Sequence, residues 1–268
     1  MTRSKDSIVD ATTPSAGRIY DYLLGGHHNF EVDRQAAQML LKMSPFFAKL
    51  VRLQRWCLQD IAHELTVVRG YDTIVDFASG LPTQDHIHYV VPDGTKVIYS
   101  DYDPVVVEYA KDILGDTPNV YFFEADARQP EELLNRPEVV DILNNRNVAL
   151  VYWGVGVFLS DEDLSHASRA LYDWSTPGSC WAFNAQGAGV SKDHPSAVKG
   201  IEMYRNMGTP VYVREREEYE ELLKPWHPDK NGFISLLDWH GFDQSELRSE
   251  DLAVFGKAGA GYGAYMQK

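Results

Sequence analysis

The stretch "TIVDFASGLPT", residues 73–83, decides how the chain is read. An apolar run leads to one acid, Asp76, and then to a short loop of small residues with a single glycine, Gly80. A short apolar run bounded by turn residues is the signature of a buried strand. The same unit recurs downstream in "KVIYSD" (96–101), "NVYFFEAD" (119–126), "VALVYWG" (148–154) and "GSCWAFNA" (178–185). Between these runs lie helix patterns. In "DPVVVEYAKDILG" (103–115), Asp103 is placed to cap, Pro104 to start and Gly115 to end a helix, and in "SDEDLSHASRALYDW" (160–174) Ser160 and Asp163 approximate a capping box. Strands alternating with helices predict an α/β fold with a mostly parallel sheet covered on both faces. Near the end, "GFISLLDWH" and "GAGYGAYMQK" read as strands with no helix between them, which predicts an antiparallel pair at the C-terminal edge.

Upstream of Tyr71 the rhythm is helical. "DRQAAQMLLKM" (33–43) reads as one helix and "SPFFAKLVRLQRWCLQDIAHELTVVRG" (44–70) as a longer one, with Ser44 as cap, Pro45 at the first helical position and Gly70 at the end. Phe46, Leu50, Leu53, Cys57, Ile61 and Leu65 form its apolar stripe. The chain therefore divides into an N-terminal helical cap or lid, 1–70, and a sheet domain, 71–268.

Composition narrows the function classes. Of 268 residues 44% are hydrophobic and 24% charged, the balance of a globular domain with a sizeable core. The net charge of -14 repels phosphate backbones, so no nucleic-acid partner is expected. The two cysteines allow no cysteine-based metal motif and fit a reducing cytoplasm. The longest nearly apolar run, 148–159, is too short to span a bilayer, so no membrane association is expected.

The acids carry the functional signal. Asp76, Asp101 and Asp126 stand at or near the ends of successive predicted strands, at intervals of 25 residues. In an open parallel sheet ligands bind outside the carboxyl ends of the strands, and a carboxylate after the second strand suits the two hydroxyls of a ribose. Each acid also has a structural reading: Asp76 as an anchor of its loop, Asp103 as a helix cap, Asp126 as the start of the turn at "DARQP". A dinucleotide needs G-x-G-x-x-G after the first strand, and Ala78-Ser79-Gly80-Leu81-Pro82 does not supply it.

The loop aligns better with the first motif of Rossmann-like S-adenosylmethionine methyltransferases, with Asp76 at the acid, Gly80 at the central glycine, and Ala78 and Pro82 where glycines are usual. The chain resembles one bacterial family of such enzymes over nearly its whole length. "PSAGRIYDYLLGGHHNFEVDR" (14–34) is similar to that family's N-terminal signature. "DFASGLPT", "VIYSDYDPVVVEYA" and "VYFFEADARQPEELLNRPEV" look like its first three motifs, and "REREEYEELLKPW" and "GYGAYMQK" like its C-terminal elements. "ALVYWGVGVFLSDED" fits the family less closely.

The resemblance implies a class I methyltransferase sheet, S-adenosylmethionine as cofactor, S-adenosylhomocysteine as product and a small-molecule acceptor. It implies that Asp101 binds the ribose, that Asp126 with Ala127 contacts the adenine, and that residues 78–80 pass the methionine moiety. Asp76, Ser79 and Tyr102 complete that side, and Tyr20, Tyr22 and Trp153 are aromatic faces for the sulfonium. Within the signature, Tyr22, His27, His28 and Asn29 are candidates for the acceptor pocket, with residues 18–34 folding as a lid. Neither a catalytic residue nor the oligomeric state is legible. No metal is expected, since the D-x-D of Asp101 and Asp103 and the pair His86 and His88 lack further ligands. A D-x-D sugar-nucleotide transferase and a non-catalytic S-adenosylmethionine sensor stay open as other readings.

Overall fold

The computed structural model describes residues 12–83, 85–143, 147–187, 195–243, 245, 247–255 and 260–268. Helices α1 (Ala16–Leu23), α2 (Glu31–Met43) and α3 (Phe47–His63) come first, and α3 runs on through a wider π-helical turn, Glu64–Val68. Gly70, with φ of +76°, closes that turn. The alternating region then follows: β1 (Thr73–Asp76), β2 (Lys96–Asp101), α4 (Pro104–Leu114), β3 (Val120–Glu124), α5 (Pro130–Leu134), α6 (Pro137–Leu143), β4 (Ala149–Tyr152), α7 (Asp161–Trp174) and β5 (Cys180–Ala185). The C-terminal part adds α8 (Pro195–Asn206), α9 (Arg216–Leu222), β6 (His227–Pro228), β7 (Ile234–Ser235), α10 (Leu236–Trp239), α11 (Ser249–Phe255) and β8 (Tyr262–Gln267).

The strands form one sheet in the order β3-β2-β1-β4-β5-β8-β6, with β7 also paired to β8. Strands β1 to β5 are parallel, and β8 runs antiparallel to β5, β6 and β7. The fold is therefore the α/β arrangement expected, with its antiparallel C-terminal edge. The edge differs in detail. "GFISLLDWH" contributes only two strand residues, because the Ser235 hydroxyl accepts from Asp238 N and turns the rest into α10. Strand β8 is not outermost, since it lies between β5 and the short β6 and β7.

Side-chain alternation splits the core into two layers. Val75, Ile98, Leu150 and Trp181 face a cluster with α5, α6, α7 and α9, and their chain neighbours Ile74, Val97, Val151 and Ala182 face one with α3, α10 and α11. The stripe through Leu53, Cys57, Ile61 and Leu65 is the buried face of α3, as its spacing predicts. A third cluster joins Ile19 and Leu23 of α1, Ala36, Ala37 and Leu40 of α2, Val51 of α3 and Tyr204 of α8. The start of α3 departs from expectation: Ser44 ends α2, its N–H bonded to Leu40 O, and α3 begins at Phe47. Among the described residues, no helix is long and apolar enough to cross a membrane.

Candidate functional site

Sheet order reverses between β1 and β4, with β2 and β3 on one side and β5 on the other. The crevice above such a switch point is where open α/β sheets take ligands. Here it is a cavity of about 340 Å³, walled by the ends of β1 to β5, by α1 and α3, and by residues 208–212. All nine residues named as candidate cofactor contacts line it: Asp76, Ala78, Ser79, Gly80, Asp101, Tyr102, Asp126, Ala127 and Trp153.

The loop after β1 is shaped by its own hydrogen bonds. Ser79 N donates to Ser100 O at 2.8 Å, the Ser79 hydroxyl donates to Asp76 O at 2.9 Å, and it accepts from Ser100 N at 3.0 Å. This pins the loop to the end of β2. Ala78 and Gly80 both have positive φ, +52° and +65°, so Ala78 adopts a conformation that costs a residue with a β-carbon about 1 kcal/mol or more. A β-carbon built on Gly80 would meet nothing within 4 Å, so backbone conformation rather than crowding favours glycine there. Pro82 is buried and absent from the lining, so its missing N–H withdraws no donor from the cavity. Helix α1 lies directly above: a β-carbon on Gly17 would stand 3.9 Å from Gly80 Cα.

Asp101 holds both loops at the strand ends, with Oδ2 accepting from Gly80 N at 3.0 Å and Oδ1 from Asp103 N at 2.9 Å. Burial pushes its carboxyl up to about 6, against the lowering effect of those bonds. Asp103 caps α4 by accepting from Val105 N at 2.9 Å, and its other oxygen accepts from Arg18 Nη1 at 3.2 Å. Both acids of the D-x-D pair thus have partners within the fold, Asp101 with one backbone bond to each oxygen, and among the described residues no cluster of three His, Cys, Asp or Glu is placed to hold a metal. Asp126 makes a turn with Arg128, whose backbone N and guanidinium both donate to it. Burial works against its ionisation, and the Arg128 bonds outweigh it, keeping the carboxyl below the usual value. Tyr102 is exposed at the mouth. Trp153 is fixed by Nε1–H donating to Gln54 O at 2.9 Å, with its ring beside Trp239.

The polar groups without partners are the most informative. Asp76 is 2% exposed and its Oδ2 has no hydrogen-bond partner. Arg55, 4% exposed, has Nε and Nη1 unpaired, and Gln54 Nε2 beside it is unpaired as well. Gln186 Oε1, across the cavity, is a fourth. All four side chains belong to the lining. Buried polar groups are nearly always satisfied in folded proteins, so these four are free to take a partner that enters the cavity, water or ligand. Burial pushes the Asp76 carboxyl up to about 8, despite the nearby Arg55 charge. His86 is neutral, its basicity lowered first by burial and then by Arg55. Its Nδ1 accepts from Ile87 N at 2.9 Å, which leaves Nε2–H to donate to Ser79 O at 3.2 Å, so it positions the loop.

Sequence reading missed Gln54, Arg55 and Gln186, and weighed His86 only as a metal ligand. For Gln54 and Arg55 the available signal was a second helical stripe in α3. Phe47, Val51, Gln54, Arg55 and Leu58 share the face that lines the cavity, one face round from the core stripe.

The N-terminal signature is placed differently from expectation. Tyr20 lines the cavity, whereas Tyr22, His27, His28 and Asn29 do not. Tyr22 packs into the third hydrophobic cluster. His27 is exposed. His28 turns its ring edge-on to Tyr109, 5.4 Å away. Asn29 Nδ2 donates to Asp21 Oδ2 at 2.8 Å, and His28 N donates to the same oxygen. A β-carbon on Gly26 would collide with Asp21 at 2.0 Å, so the second glycine of the pair makes room for that carboxylate. Arg18 is the other centre, donating through Nε to Asp33 at 2.8 Å, through Nη1 to Asp103 and through Nη2 to Thr13 O. The charged and amide groups of the signature hold one another and the neighbouring loops, and the signature residues that reach the cavity are Ser15, Ala16, Gly17, Ile19, Tyr20 and Leu23.

Comparisons with known proteins bear on the family and the fold. The profile of the family described as S-adenosyl methyltransferase matches residues 2–262. A protein described as a putative methyltransferase from Thermobifida fusca YX is 27% identical, with 97% of this chain and 96% of that chain covered and a TM-score of 0.84. A DUF574 family protein from Streptomyces avermitilis MA-4680 is 26% identical over 97% and 99%, with a TM-score of 0.81. An O-methyltransferase family protein from Burkholderia thailandensis, 13% identical over 83% of this chain and 57% of that chain at a TM-score of 0.50, shares the fold. No curated protein matches the chain.

Proposed function

The chain belongs to the S-adenosyl methyltransferase family, and from that premise we propose that its crevice holds S-adenosylmethionine with the residues named above and transfers the methyl group to a small molecule. The carrying observation is the set of unpaired groups at β1. Arg55 and Gln54 offer N–H donors and Asp76 offers an acceptor oxygen in one buried place. A free α-amino acid presents a carboxylate and an ammonium close together, which is the complement of that set. The methionine end of the cofactor is such a group. Its carboxylate meets Arg55 and Gln54, and its ammonium meets Asp76.

The remaining contacts follow the strand ends. Asp101 keeps lone pairs for ribose hydroxyls after its two backbone bonds, and the Tyr102 side chain and Asp126 with Ala127 flank the adenine. Bound S-adenosylmethionine supplies a methyl group already activated by its sulfonium, so the chain's own work is orientation and exclusion of water. Arg55 and Asp76 fix one end of the cofactor and Asp101 the middle, while Tyr20 and Trp153 present aromatic faces where a cation is favoured. Helix α1, held down by Arg18, covers the crevice, which suits a small acceptor better than a polymer.

Calorimetric titration with S-adenosylhomocysteine, NAD and a sugar nucleotide tests the reading. Only the first is expected to bind, and Asp101→Ala is expected to weaken it by about tenfold or more, the loss of hydrogen bonds to a charged group. Binding of NAD in preference, or unchanged affinity in the variant, contradicts it. Transfer of labelled methyl from S-adenosylmethionine to a metabolite extract then separates an enzyme from a sensor.

A further inference from the structure

We infer that the half of the cavity on the β4 and β5 side takes an uncharged, flat, largely apolar molecule that presents one hydrogen-bond donor to Gln186. This rests on the cofactor reading above, because groups suited to the cofactor occupy the β1 to β3 side of the switch point and leave the other side for the acceptor. That other side is a continuous apolar wall. Tyr20, Phe47, Val51, Phe158 and Tyr204 come from α1, α3, the loop after β4 and α8, and they belong to one hydrophobic cluster. Phe158 stands edge-on to Tyr204 with ring centres 5.7 Å apart.

Among the described residues, α1, the first turns of α3 and residues 204–212 turn no charged side chain into the cavity. A charged acceptor would lie desolvated against this wall without a counter-charge, which is strongly unfavourable. Aromatic rings suit such a surface through edge and face contacts. The polar lining residues outside the cofactor set include Thr209, Asp163, which lies within electrostatic reach of Arg128, and Gln186. Its Oε1 is buried without a partner, and a β-carbon on Gly154 would stand 3.8 Å from it, which places it at the end of β4. Tyr219 holds the Gln186 backbone by donating to its carbonyl at 3.0 Å. An acceptor-only oxygen in an apolar wall selects a hydroxyl or N–H and rejects the analogue lacking it.

The test uses para-cresol as probe and toluene, which lacks only the hydroxyl, with methyl glucoside and spermidine as polar and cationic controls. Each is titrated by NMR into protein already saturated with S-adenosylhomocysteine. Para-cresol is expected to bind about tenfold more tightly than toluene, one hydrogen bond's worth, and the two controls not at all. In Gln186→Leu the preference is expected to fall to within about twofold while S-adenosylhomocysteine affinity is unchanged. Saturable S-adenosylhomocysteine binding with no preference for para-cresol, a preference that survives in Gln186→Leu, or binding of either control overturns this inference alone. Failure of S-adenosylhomocysteine to bind overturns the cofactor reading and this inference with it. If the variant does not fold, the wild-type ratio of para-cresol to toluene decides.

Discussion

Arg18 and Arg55 are buried to nearly the same degree, 2% and 4% exposed, in neighbouring helices of the same cover. They differ in company. Arg18 has Asp33, Asp103 and the Thr13 carbonyl as hydrogen-bond partners. Arg55 has Nε and Nη1 unpaired, lies against the Tyr20 ring at 5.4 Å, and faces the cavity that holds the unpaired oxygen of Asp76. Burying a guanidinium is costly unless it is paired. Arg18 is offset within the fold, so it is architecture. Arg55 is offset in part by Tyr20 and keeps Nε and Nη1 for something else, which is the pattern proposed above for recognition. The comparison teaches that burial alone does not distinguish the two roles and that partner satisfaction does.

The largest effect that would sharpen this contrast is on stability. Arg18→Met leaves Asp33, which is fully buried, without its counter-charge, and is expected to cost about 3–5 kcal/mol in urea unfolding. S-adenosylhomocysteine affinity of the molecules that remain folded is expected to change little. A loss below about 1 kcal/mol, the range of an exposed pair, would erase the distinction.

The next effect is in pH. In the free protein burial holds the Asp76 carboxyl up at about 8, so it is protonated at neutrality. An ammonium placed against it favours the ionised form, so binding releases a proton. Affinity for S-adenosylhomocysteine is then expected to rise with pH by up to about tenfold per unit and to level off near 8. Calorimetry in buffers of different ionisation enthalpy reads the proton directly, and uptake in place of release would contradict the pairing. For the stability of the unliganded protein the opposite trend is expected. A raised folded-state value gives a stability contribution that is complete below 3.8 and is lost as pH climbs through about 8.

The smallest effect concerns the loop. Ala78 at φ of +52° is in a region that glycine enters freely, so Ala78→Gly is expected to raise stability by about 1 kcal/mol or somewhat less, since glycine also loosens the unfolded chain. A destabilised variant would show that the Ala78 methyl, which touches the core beside the loop, contributes more by packing than it costs in conformation.

These comparisons also show why the sequence was readable in part. Strands β1 to β5 and helices α4 and α7 are legible because each combines an apolar run or stripe with a cap or breaker at its end, and Asp103 and Ser160 cap as their positions suggest. The residues Asp76, Ala78, Asp101 and Asp126 could be brought to one cavity on paper because strand ends in a parallel sheet are collinear by topology. Strand β6 could not be read, and β7 only as part of a longer run: two residues each, they exist only through pairing with β8. Arg55 was hidden for a different reason. It lies on a helix that precedes β1, and only the packing of α3 across the sheet brings it beside Asp76. The conspicuous histidines of the signature drew attention instead, and His27 is solvent-facing while His28 packs on Tyr109.

The central claim is that Arg55 is held unpaired for the carboxylate of the cofactor, and the unfolding midpoint of Arg55→Met with and without saturating S-adenosylhomocysteine tests it most directly. Removing an unpaired buried charge is expected to leave the midpoint of the free protein unchanged or higher. The shift produced by S-adenosylhomocysteine is expected to shrink in proportion to an affinity loss of about 2–4 kcal/mol, the cost of truncating one partner of a buried charge pair. A variant that is less stable without ligand yet still shows the full ligand-induced shift would contradict the account, because Arg55 would then be architecture in the same sense as Arg18.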